Sequence, residues 1–154
     1  MKTKLLSLII VVALSASAFA RIGETTEQID KRYGHPLETK RNKEETRRYS
    51  FRDFTVLVGV DRGISQCEVY RKKDNSRMTE DEIRGLLQAN AGKSDWNYEP
   101  DENVESYIYW SRDRRTRVAI YTLVTHNLMV TSKASLVRFA HLFNSSDQKK
   151  MEGF

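Results

Sequence analysis

The chain has one cysteine, three histidines and, after residue 14, no long apolar run. A lone cysteine, Cys67, excludes an intramolecular disulfide. It lies in the alternating stretch ISQCEVY and reads as a buried core thiol, because free cysteine packs as a small hydrophobe. His35, His126 and His141 stand far apart, without metal-ligand spacing, so neither a metal nor another cofactor is expected. The sequence also lacks G-x-S-x-G, a Walker loop and H-E-x-x-H. Its acidic groups, Glu80-Asp81-Glu82 and Asp101-Glu102, read as helix-start and loop charge, the former complementing a helix dipole. No catalytic residue can be nominated. The balance is against an enzyme, with a small secreted hydrolase built from loops as the alternative.

What is present begins with a leader. Residues 1–20, MKTKLLSLIIVVALSASAFA, combine Lys2 and Lys4, an apolar run from Leu5 to Leu14, and Ala18-Phe19-Ala20 as a small-x-small cleavage site. This pattern predicts a signal peptide cleaved after Ala20 and an exported protein, periplasmic or extracellular. The run falls short of the ~20 residues a membrane span needs, so no span is expected after cleavage. With no cysteine following the site, a lipid anchor is not expected either. Removal of 20 residues from 154 leaves 134, a length that suits one domain with its own core. The formal charge falls from +5 to +3 with the loss of Lys2 and Lys4. That excess is too small to imply nucleic-acid binding. The basic runs RKK (71–73) and RDRR (112–115) read as turn charges.

The spacing predicts a helix after Thr25, an N-cap with Gln28 in capping-box position. Ile29 and Tyr33 share its inner face, Gly34 stops it, and Pro36 prevents continuation. After the charged connection 38–46 the period changes to two, predicting strands at 47–52, 54–60 and 64–70, with Asp61-Arg62-Gly63 as a hairpin turn. A second capped helix follows Thr79, with Glu82 in the same spacing and Ile83, Leu86 and Leu87 as its apolar face. Strands are then expected at 106–111, 116–122 and 127–132. Thr25–Ile29 aligns with Thr79–Ile83 at an offset of 54, and Tyr49–Arg52 resembles Tyr107–Trp110, which suggests an internal duplication. The expectation is a single α+β domain at 21–144. It comprises two helix-plus-antiparallel-meander units at about 22–73 and 77–133, a C-terminal helix at 135–143, and a polar tail at 145–154.

The pattern Gly23-x-Thr25-x-x-Gln28-Ile29 followed by Gly34-x-Pro36 resembles the SmpA/OmlA family of small envelope proteins associated with outer-membrane barrel assembly. Tandem helix-plus-meander units are also similar to the β-lactamase inhibitor proteins, whose curved sheet binds a partner protein. The tightest match is Gly23, Glu24, Thr25, Gln28, Arg32, Tyr33, Gly34 and Pro36. These residues resemble the start of small exported bacterial proteins with an R-x-G-E-T-x-x-Q-x-x-x-R-Y-G-x-P-like stretch. This chain departs from the first family in having Arg21 where a lipidated cysteine usually follows the leader, and from the second in having one cysteine. The resemblances imply a fold and an envelope or extracellular setting.

The remaining candidates are aromatic. If the helices cover Phe54, Val56, Val58, Val69, Ile108, Trp110, Val118, Ile120 and Val130, the opposite sheet face shows Tyr70, Tyr107, Tyr109 and Tyr121, accompanied by Arg117 and Met129. Tyrosine and arginine are enriched where proteins meet partners, and tyrosine also suits sugar stacking. The simpler reading of the same tyrosines is that they are good strand formers with cross-strand packing. Trp96 and Tyr98, in a polar loop, either tuck onto the core or rim a ligand groove. The sequence thus favours a non-catalytic binding or scaffold module for a protein or glycan. It leaves the partner and the oligomeric state open.

Overall fold

The structure is a computed structural model that describes residues 22–91, 95–100, 105–113 and 116–143. The expected signal peptide, its cleavage site and the tail at 145–154 lie outside the described residues. Helix α1 (Thr26–Tyr33) leads into β1 (Glu38–Arg41), β2 (Glu45–Phe51), β3 (Phe54–Asp61) and β4 (Ile64–Lys72). Helix α2 (Glu80–Ala91) leads into β5 (Trp96–Pro100), β6 (Ser106–Ser111), β7 (Arg117–Thr122) and β8 (Leu128–Ser132). A short helical segment then runs through α3 (Leu136–Phe139), with a 3₁₀ turn on either side. No helix among the described residues is long and apolar enough to cross a membrane.

The expected pair of helix-plus-meander units does not hold. All eight strands form one antiparallel sheet in the order β1-β2-β3-β4-β8-β7-β6-β5, and the helices on it are few and short. The joint is β4 against β8, where Cys67 pairs with Thr131 and Tyr70 with Leu128. Two strands fall where loops were expected. Glu38–Arg41 has no apolar period and is held by pairing to Glu45–Arg48. Trp96–Pro100 pairs with Tyr107–Ser111.

Both helices have the expected starts. The Thr25 hydroxyl accepts from the Gln28 amide at 3.3 Å, and the Gln28 side chain accepts from the Thr25 amide at 2.9 Å. Thr79 and Glu82 repeat the exchange at 3.2 and 2.7 Å. Each exchange satisfies two donors that a helix start would leave open. Gly34, at φ 86°, ends α1. The Asp61-Arg62-Gly63 hairpin is turned by Arg62 and Gly63, both at positive φ, as a right-twisted hairpin prefers.

The remaining residues of the opening motif tie α1 to the sheet. Gly23 and Glu24 donate their amides to the Ser65 hydroxyl, each at 3.1 Å. Arg32 forms an ion pair with Glu24 and lies 3.9 Å from the wholly buried Glu68. Tyr33 donates to Glu68 at 3.0 Å, Tyr70 donates to the same carboxylate, and Asn90 of α2 donates to the Tyr70 hydroxyl at 3.1 Å. A buried carboxylate needs such donors, since stripping it of water is otherwise costly. Glu24, Arg32 and Tyr33 therefore have a structural task.

The sheet is covered on both sides at its centre. Helices α1 and α2 bury Ile29, Tyr33, Ile83, Leu86 and Leu87 against Tyr49, Val56, Val58, Tyr70, Ala119, Tyr121 and Val130. On the reverse face, Phe139 and Leu142 pack on Leu57, Cys67, Val69 and Met129. The expected helix at 135–143 is thus only four α-helical residues between 3₁₀ turns. Its inward residues are Leu136, Phe139, Leu142 and Phe143, while Ala140 is exposed. The steps of three from Leu136 to Phe139 to Leu142 match the 3₁₀ repeat, and Phe143 adds a partly buried contact beside them. Arg138 anchors the segment through Glu44 at 2.8 Å and Asp61 at 2.9 Å.

Candidate functional site

Alternation along a strand separates two faces without saying which one is covered, and here the assignment is reversed over half the sheet. Tyr70, Tyr109 and Tyr121 lie on the helix-covered face. Val69 and Met129 pack on the reverse face under Phe139. Val118, paired with Thr131 and Trp110, shares that reverse face by parity with Met129. The register explains the ambiguity: Ala119 and Tyr121 alternate with Val118 and Ile120, so both sets are apolar and either could face a helix.

The candidate tyrosines divide by depth. Tyr70 and Tyr121 are core, at 0% and 1% exposure. The Tyr121 hydroxyl accepts from the Met78 amide at 3.0 Å, fixing the link into α2. Tyr107 and Tyr98 are 36% and 51% exposed. Arg117 does not reach out to solvent. It donates to the carbonyls of Asn90 and Ala91, each at 2.7 Å, and pairs with Asp113 at 2.9 Å. A cation at the last carbonyls of α2 completes that helix end and complements its dipole.

The outer tyrosines form a connected row. Tyr107 stacks on its cross-strand neighbour Tyr121 with centroids 6.3 Å apart and planes 8° from parallel. Tyr98 meets Tyr107 at 5.9 Å and Tyr109 at 5.5 Å. Such ring pairs contribute about 0.5–1.5 kcal/mol each beyond their buried area. Burial, with Tyr98 and Tyr107 alongside, pushes the Tyr109 hydroxyl pKa up to about 12. The Tyr109 hydroxyl therefore stays neutral and can donate a hydrogen bond at physiological pH.

These rings form one wall of a groove of about 840 Å³. The other wall is α2, through Glu80, Ile83, Arg84, Leu87, Gln88 and Ala91. Their spacing of three and four places them on one helical face. Trp96 closes one side, half-buried, its indole donating to the Leu87 carbonyl at 2.7 Å. Arg77, Asp95 and Arg112 complete the rim. Trp96 and Tyr98 thus belong to the same site as Tyr107, Tyr109 and Tyr121, and not to a separate loop. What the sequence alone did not reveal is the contribution of α2. The signal for it was the outer flank of the helix, where Glu80, Arg84 and Gln88 follow the same period as the core residues.

The groove offers aromatic faces, phenolic hydroxyls and rim charges of both signs, a combination suited to binding. Its carboxylates, Glu80 and Asp95, have no histidine beside them in the lining. Among the described residues, no group of three or more histidines, cysteines or acids is placed to hold a metal. Cys67 is fully buried beneath the 133–143 segment, and burial raises its thiol pKa far above the usual range. Without a populated thiolate it is a poor nucleophile.

No protein-family model and no curated protein matches the chain. Solved structures similar to it include two extracellular or secretory bacterial proteins. One is a cysteine-rich secretory protein from Staphylococcus aureus, with a TM-score of 0.44 and 6% identity over 75% of this chain and 46% of that one. The other is an extracellular protein containing an SCP domain from Bacillus anthracis, with a TM-score of 0.45 and 11% identity over 90% of this chain and 51% of that one. This chain therefore spans about half the length of each. Likeness at this level carries no argument about the site.

Proposed function

We propose that this chain is an exported, non-catalytic binding module that holds an extended segment of a partner protein in the tyrosine groove. Export is inferred from the leader at residues 1–20. The observation that carries the binding reading is the exposure of Tyr98 and Tyr107, two large rings standing open where the rest of the aromatic row is covered. Rigid aromatic rings with a polar tip supply contact area at low entropic cost. A protein segment suits the site better than a sugar because the groove runs along β5, the last strand of the sheet order. A peptide laid there can add main-chain hydrogen bonds to the strand edge while alternate side chains enter the groove. The opposite edge, β1, carries Glu38, Lys40 and Arg41, charges that discourage such pairing.

The test is to screen the purified protein against immobilised random peptides and a glycan array, reading Trp96 fluorescence on binding. Peptide binding lost in a Tyr98→Ala/Tyr107→Ala variant of unchanged thermal midpoint supports the proposal. Peptide binding that survives this variant, or binding of glycans alone, overturns it.

A further inference from the structure

Strand β5 is the last of the sheet, and its open side has a definite hydrogen-bond pattern. The Arg112 amide donates to the Asp95 carbonyl at 2.9 Å, and the β5–β6 register, continued by one residue, sets these two directly opposite. Opposed residues of an antiparallel pair alternate between bonded and non-bonded. Asn97 and Glu99 therefore direct their main-chain groups at β6, while Trp96, Tyr98 and Pro100 turn theirs outward. Strand β6 agrees from its other side. The Leu123 amide donates to the Glu105 carbonyl at 2.8 Å, so Tyr107, opposite Tyr121, bonds to β7 rather than to Pro100. Proline, which has no N–H, falls where β6 asks for none.

The outward groups of Trp96 and Tyr98 offer a partner strand four main-chain hydrogen bonds, and their rings line the groove with Ile83, Leu87 and Ala91. A second copy of this chain fits the edge poorly. Within Trp96–Pro100, two self-pairing registers engage both residues. One sets Tyr98 on Tyr98 and brings Pro100, without an amide hydrogen, onto Trp96. The other sets Trp96 on Tyr98 and brings Asp95 onto Glu99, like charges directly opposite, which destabilise a sheet. The same two carboxylates suit a basic partner. Asp95 is 82% exposed even with Arg112 at 3.8 Å. The far edge, β1, carries Lys40 and Arg41 against Glu38 and disfavours one.

Resting on the reading that the groove holds a protein segment, we propose that this segment is basic, runs antiparallel to β5 and has no proline where it pairs. Its residues opposite Tyr98 and Trp96 take the bonded positions. Cross-strand neighbours share a face, so these two side chains enter the groove, and they are apolar. The residues opposite Glu99 and Asp95 flank them and are lysine or arginine. The recognised pattern is basic, apolar, any, apolar, basic.

The experiment is a fluorescence-anisotropy titration of the purified protein with a dye-labelled, end-capped peptide centred on lysine-valine-threonine-valine-lysine. Saturable binding is expected. N-methylation of either valine should weaken it about tenfold or more, and of the threonine by less than about twofold, because only the valine amides face β5. Glutamate in place of both lysines should weaken binding several-fold, an effect that fades at high salt and in Asp95→Asn/Glu99→Gln. A parallel segment reverses the N-methyl result, since its bonded residue is then the threonine. That reversal, or equal binding of the lysine and glutamate peptides, overturns this inference. The groove reading survives either outcome if Tyr98→Ala/Tyr107→Ala still abolishes binding. Failure of this peptide beside binders from the random screen also overturns the inference alone, whereas failure of every peptide removes the groove reading and this inference with it.

Discussion

The ring of Phe139 rests directly on Gly59. A Cβ placed on that glycine would lie 2.5 Å from the Phe139 Cδ1 atom, well inside contact distance. Gly59 sits beside a register irregularity in β3 and opposite Cys67, so the strand has little freedom to retreat. Gly59→Ala should therefore cost about 1–3 kcal/mol, the usual penalty of overpacking. Combining it with Phe139→Leu should return part of that loss, since residues in contact are not additive. Urea unfolding of the four proteins checks this, and a neutral Gly59→Ala would contradict the close packing.

Removing one member of the buried polar network should be expensive. Arg32→Met leaves Glu24 and the fully buried Glu68 with less compensation, so a loss of about 3 kcal/mol is expected. Tyr70→Phe removes one donor to Glu68 and the acceptor for Asn90, and should cost about 1–3 kcal/mol. Denaturant midpoints measure both. Unchanged midpoints would mean that the network contributes no stability.

Acid should weaken the fold through its cap carboxylates. The Thr79 amide, then Lys72, holds the Glu82 carboxyl below its ordinary 4.5. Asp113 is likewise held below 3.8, by Ser111 first and then Arg117. A carboxylate with a depressed folded pKa stabilises the fold above its unfolded pKa, and that stability is lost as pH falls through the folded pKa. Stability should thus be flat above about pH 5 and decline below about pH 4.5. Glu82→Gln should be less stable at neutral pH and converge on the parent in acid. Melting curves across the range decide, and parallel curves would exclude the linkage.

Cys67 should be inert in the native protein. Its full burial and raised thiol pKa leave almost no thiolate to react. A maleimide should label it only after denaturation. Native labelling at a free-thiol rate would mean that the 133–143 segment opens readily.

Local signals were legible where one residue type has one task. Thr25, Gln28, Gly34, Thr79 and Glu82 announced the starts of both helices and the end of the first, because caps are chemical. Strand alternation marked six of the eight strands. Glu38–Arg41 was hidden because a charged edge strand has no inward face, and Trp96–Pro100 because its apolar residues are few and flanked by polar ones. The sheet topology rests on the β4–β8 pairing, which no local pattern encodes. For the site, Trp96, Tyr98, Tyr107, Tyr109 and Tyr121 were visible as individual candidates. Their gathering into one groove depends on the register of β5 to β7 and on the position of α2. Arg117 was visible too, but its helix-capping contacts are long-range.

The pairing of β4 with β8 also sets the order of events in time. Across it the Thr131 hydroxyl donates to the Gln66 carbonyl, 65 residues away in the chain, whereas every other strand pair joins chain neighbours. Hairpins close in about 1–10 μs, but this seam waits for the last strand to be present. Until then β4 is an open edge carrying Cys67, Val69 and Tyr70, the stickiest stretch of the first half. A chain threaded through a membrane from its N-terminus would meet its greatest risk of misassociation in that interval. Truncation before Leu128 should therefore yield aggregates rather than a folded half-molecule.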